Sequence, residues 1–101
     1  MRTIFKYPIR SFFGEETFQI PLSPADERMS NLFKVGWVKP GLLALWCRVD
    51  TEAPTRAITV RIFGTGEPIP ESEYDLGLWL TTLEERGLVW HVFVSYGGCR
   101  T

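Results

Sequence analysis

Ile58, Val60 and Ile62 alternate with Thr59, Arg61 and Phe63 in the stretch RAITVRIFGTGEPIP, Arg56 to Pro70, and the alternation stops at a glycine. A period of two places the three branched residues on one face of a β-strand. That face needs a second layer to cover it. The loop that follows combines opposites. Gly64 and Gly66 accept backbone angles closed to other residues, while Pro68 and Pro70 fix theirs and remove two amide donors. A pivot therefore runs into a stiff arm.

The same alternation recurs along the chain. From Arg2 to Ile9, Phe5, Tyr7 and Ile9 share a face, and Pro8 places this strand at a sheet edge or ends it early. Ser11 to Glu16 reads as a turn and Thr17 to Leu22 as a second strand, with Phe18, Ile20 and Leu22 on one side. The two strands are expected to form a hairpin. Ser23 and Pro24 ahead of Ala25 to Arg28 are a helix-start signal with room for about one turn. Asn31 to Val38 carries Phe33, Val35 and Trp37 on one face, and Pro40-Gly41 suits the centre of a type II turn. Leu42 to Asp50, LLALWCRVD, is apolar on both faces until Arg48, so it is either a central strand or has one face covered by another subunit.

Beyond the organising loop, Leu76 to Leu83 fits two periods. Leu76, Leu78 and Leu80 suit a strand, whereas Leu76, Trp79, Leu80 and Leu83 suit a helix face. Gly77, Thr81 and Thr82 are poor helix formers and decide for the strand. Glu84 to Gly87 reads as a turn, Leu88 to Tyr96 as a last strand rich in branched and aromatic residues, and residues 97–101 as a mobile tail. The expectation is one all-β domain over residues 1–101: a small antiparallel β-sandwich or barrel of six to seven strands with at most one short helical turn.

A chain of 101 residues buries roughly 60 to 65% of the surface its unfolded form exposes, enough for one core. Four Trp and seven Phe are many for that core, which points to a homo-oligomer. With 11 basic and 12 acidic residues the net charge is −1, which disfavours polymeric nucleic acid as a partner. Cys47 and Cys99 lack a CxxC motif and read as free thiols of a reducing compartment. With no signal-like N-terminus and no run of about 18 apolar residues, the expected location is the cytoplasm, with no membrane partner.

No catalytic constellation stands out, so the chain is read as a non-enzyme with no cofactor and no metal. His91, between Trp90 and Val92, is the one histidine, and in an aromatic strand such a residue is more often structural than a base. Reaching Ser95, Ser72 or a cysteine would require a nucleophile elbow that the sequence does not contain. Gly64-Thr65-Gly66 is not a dinucleotide fingerprint, since Ile69 stands at the third glycine position. The three amides could still form a small anion-binding nest, or the segment is a plain turn. Trp46 and Arg48 share a strand face, and with Arg61 they could offer an indole to a base and guanidinium groups to phosphate. An exposed ladder with Trp46 at a subunit contact explains them equally. Glu67, Glu71, Glu73 and Asp75 read as a solvated acidic surface, without the spacing of a calcium loop.

The strings LWCRVD (Leu45 to Asp50), RIFGTGEPIP (Arg61 to Pro70) and GLVWHVF (Gly87 to Phe93), with KYPI near the N-terminus, occur in an order and spacing that resemble an uncharacterised family of small phage and prophage proteins of about this length. The resemblance covers most of the chain and implies a phage-encoded accessory protein, acting in the host cytoplasm. It is compatible with an anti-defence sponge that sequesters a small nucleotide-like immune signal in a pocket between subunits. The expected ligand-binding residues are Trp46, Arg48, Arg61, Gly64, Thr65, Gly66 and His91. The alternative is a protein-interaction module that blocks a host protein or serves in the virion.

Overall fold

The computed structural model describes residues 1–10, 14–23, 32–71, 77–85 and 87–95. Seven strands follow one another: β1 (Arg2–Ile9), β2 (Gly14–Pro21), β3 (Phe33–Lys39), β4 (Leu42–Asp50), β5 (Thr55–Gly64), β6 (Leu78–Glu85) and β7 (Leu88–Ser95). They form two antiparallel sheets, three-stranded in the order β1-β4-β3 and four-stranded in the order β2-β5-β7-β6. The architecture is a small β-sandwich. The expected helical turn, from Pro24 on, and the expected tail lie outside the described residues.

Alternation builds the core. Ile58, Val60 and Ile62 of β5 are at most 2% exposed, and they meet Leu43, Leu45, Cys47 and Val49 of β4 across the sandwich. Burying each Ile, Leu or Val side chain stabilises by about 1.5–3 kcal/mol, which outweighs any contact on the outer faces. β4 is the central strand of its sheet, which accounts for its apolar run. Its outward residues are Leu42, Ala44, Trp46 and Arg48. β1 is an edge strand, so Pro8, which cannot donate to the ladder, is tolerated there. Cys47 is a buried free thiol.

The expected β1–β2 hairpin does not form. β1 pairs with β4, and β2 pairs with β5, so the two strands lie in different sheets. Each has one apolar face, and the two faces are turned toward each other: the rings of Tyr7 and Phe18 pack with centroids 5.5 Å apart. A short connection can make a hairpin within a sheet or an arch between sheets, and the alternation of the strands is the same in both. β2 also begins at Gly14, three residues before the predicted start, because Glu15 stands opposite Arg61 and is held by it.

Two of the turns read from the sequence close hairpins. β3 and β4 join through Pro40 and Gly41, with Gly41 at φ +81°, the sign required at the third position of a type II turn. β6 and β7 join at Gly87, although β6 runs on to Glu85 through part of the segment expected to turn. The segment whose period was ambiguous is strand β6. Its register shifts between Trp79 and Thr81, a β-bulge.

Candidate functional site

The outer face of the four-stranded sheet is laid out in three rows by strand register. Glu15, Arg61, Phe93 and Trp79 form the first, Phe63, His91 and Thr82 the second, and Thr65, Val89 and Glu84 the third. The bulge in β6 matters here. Its extra residue lets Trp79 and Thr82, three apart, stand on the same outer face, while Leu80 and Leu83 both pack inward against the core.

Aromatic rings dominate the centre. Trp79 is stacked on Phe93 at 5.6 Å and 28°, and stands edge-on to His91 at 5.4 Å. Phe93 meets Phe63 edge-to-face at 5.8 Å. Each such pair contributes about 1 kcal/mol beyond area burial. Phe93 is thereby almost fully covered, yet Trp79 remains 58% exposed. The loop after β5 closes one side, and its Ile69 is also exposed. Together they bound a concavity of about 200 Å³ lined by Phe63, Thr65, Ile69, Trp79, His91 and Phe93.

His91 is pinned within this surface. Its Nε2 lies 2.8 Å from Thr65 Oγ1, its Nδ1 lies 3.2 Å from Thr82 Oγ1, and Thr65 Oγ1 is 3.4 Å from the Val89 carbonyl oxygen. One tautomer of neutral imidazole satisfies the whole chain of bonds. Thr82 donates to Nδ1, Nε2–H donates to Thr65, and Thr65 donates to Val89. In that arrangement the Thr65 proton is directed to a carbonyl and the imidazole orients the loop. Ser95 is four residues along the same strand, about 13 Å away at strand rise, and Cys47 belongs to the core. Ser72 lies outside the described residues.

The loop is a tight turn. Glu67 N–H donates to the Gly64 carbonyl at 3.1 Å, and Gly66 sits at φ +95°, an angle that favours glycine. Two of the three amides expected to cradle an anion are engaged: Gly64 N–H donates to the Glu67 carboxylate, and Thr65 N–H donates to Val89. Two of the nest's three donors are therefore spent within the chain. Arg61 has a partner too, its Nε 3.0 Å from Glu15 Oε1. A pair as exposed as this one contributes about 0–1 kcal/mol, so its role is to hold Arg61 in place.

A family model described as a domain of unknown function, DUF7352, matches residues 1–98. The chain belongs to DUF7352. No curated protein and no solved structure matches it.

In this DUF7352 chain the seven residues expected to bind ligand are not brought together. Gly64, Thr65, Gly66 and His91 border the concavity, with Arg61 one row away. Trp46 and Arg48 point outward from β4, on the opposite face of the sandwich. Sequence reasoning paired them correctly with each other but not with the loop, because alternation tells which residues share a strand face and not which sheet the strand joins. It missed Phe63, Trp79, Thr82 and Phe93. The signal for Trp79 and Thr82 was present in the mixed period of residues 76–83, read as ambiguity when it marked a bulge. Among the described residues no cluster of His, Cys, Asp or Glu could hold a metal ion, and no helix is long and apolar enough to cross a membrane.

Proposed function

We propose that this protein is a non-catalytic binding module whose aromatic outer face, on the four-stranded sheet, docks onto another protein. One observation carries the reading: Trp79, the largest side chain of the face, is braced by Phe93 and His91 yet more than half exposed. Braced indoles lose little freedom on binding and make strong contact centres. Exposed Ile69 extends the apolar area, and exposed Glu67 and Glu84 give it an acidic rim. The matching partner surface has an apolar centre and basic residues around it. Taken with the phage resemblance, that partner is a host protein or a virion component.

A photocrosslinking amino acid placed at position 79, with position 52 in the β4–β5 turn as control, tests this in the native host. A discrete protein adduct from position 79 and none from position 52 is expected. No adduct, or equal labelling from both positions, would refute it. The sponge reading keeps a separate test, since titration calorimetry with cyclic nucleotides measures that binding directly. A pocket using Trp46 and His91 together needs two copies of the chain, because the two residues lie on opposite faces of one.

A further inference from the structure

The outer face of the three-stranded sheet carries chemistry of a different kind. In the register of that sheet Lys6 of β1 and Lys34 of β3 stand directly opposite Trp46 of β4, one on each side. Neighbouring strands are about 4.8 Å apart, so the indole has a lysine stem along each flank. The next row on one side is Pro8, Ala44 and Gly36, with no large side chain. Trp46 leans onto that row, its ring 3.9 Å from where a Gly36 side chain would begin, and Ala44 beneath is 1% exposed. The row on the other side holds Ile4 and Arg48. Arg2 joins them around a concavity of about 310 Å³.

Charge is sorted unevenly over the molecule. The chain as a whole is nearly neutral, at −1, yet this face brings together Arg2, Lys6, Lys34 and Arg48. Its carboxylates among the described residues stand at one end, Asp50 opposite Arg2 and Glu52 in the turn just beyond, 3.5 and 3.3 Å from the N-terminal amine. Neither Lys6 nor Lys34 has a polar partner among the described residues. A ladder that served only to pack lysine stems on an indole would be compatible with carboxylates on the same rows. Among the described residues there are none on the row of Lys6 and Lys34.

We infer that this face is a binding site for a phosphorylated planar ligand, a nucleotide by chemical class, with its ring on Trp46 and its phosphate among Lys6, Lys34 and Arg48. An indole accepts any base on its free side, and the surrounding ammonium and guanidinium groups supply donors to phosphate oxygens. The site is independent of the aromatic face proposed above and needs no residue from the glycine loop. Its ligand can be a free nucleotide or one unit of a single strand, since both present a base and a phosphate.

Titration of the intact protein with AMP, adenosine, inorganic phosphate and a thymidine octanucleotide tests the assignment by heat and by tryptophan fluorescence. AMP is expected to bind and quench fluorescence while adenosine and phosphate alone bind at least about tenfold more weakly, as a two-part site requires. The K6Q/K34Q double variant, exposed at both positions, is expected to fold normally by circular dichroism and to bind AMP about tenfold more weakly, with a shallower salt dependence. Trp46→Leu is expected to abolish the quench. Octanucleotide binding more than tenfold tighter than AMP makes a strand the source of the ligand, and equal affinity makes it a free nucleotide. Either result keeps the site. No heat from AMP and the octanucleotide, or unchanged binding in the folded double variant, overturns it.

Discussion

Gly77 stands where β6 approaches β7 so closely that a side chain has no room. A Cβ there would lie 2.5 Å from the Val94 carbonyl oxygen, and the residue is at φ +88°. Gly77→Ala is expected to cost about 3 kcal/mol, combining left-handed strain with a backbone clash, and a urea titration measures it. Tyr7 gives a prediction in pH. Burial, and secondarily the charge of a Cys47 thiolate, raise its pKa above the ordinary value of 10.0. The folded chain then holds the phenolic proton more tightly than the unfolded chain does. That contribution to stability is whole below the unfolded value and is lost as pH rises through it toward the folded one. Tyr7→Phe should therefore lose less stability than the native chain between pH 9 and about pH 11, read from unfolding midpoints across that range.

The fold was legible wherever a residue's own strand settled the matter, and illegible where a second strand had to choose. Alternation located β1, β4, β5 and β7 within a residue or so, and Pro8 announced an edge. Pairing was another matter, since Phe18 and Ile20 serve equally well beside Tyr7 or across from it. The site suffered from the same gap. Trp46 with Arg48 could be read from β4 alone, but Lys6 and Lys34 become their neighbours only through register. The β6 bulge is the instructive case, because i, i+3 spacing inside a strand looks helical until the extra residue is seen. Deleting Leu80 restores a regular ladder. It should keep Trp79 on the outer face opposite Phe93, remove Leu80's core packing, and cost about 2–4 kcal/mol in a urea titration, with the tryptophan emission of the folded chain unchanged.

At the scale of the molecule, two unlike faces lie back to back on one small core. One is aromatic with an acidic rim, the other basic around a single indole. A contact between copies that joined the first face to the second would be head-to-tail, and such contacts close into rings or extend into filaments without making a twofold pair. Light scattering should then find a cyclic assembly of three or more copies if the sponge pocket draws on both faces, and a clean dimer would exclude that geometry. The strand order bears on synthesis as well. Because β1 finds its partner only in β4, and β2 only in β5, the first two strands leave the ribosome with nothing to pair with until half the chain has followed. During that interval Pro8 has no amide to offer an incoming strand, so it makes the nascent strand a poorer template for its neighbours on a polysome.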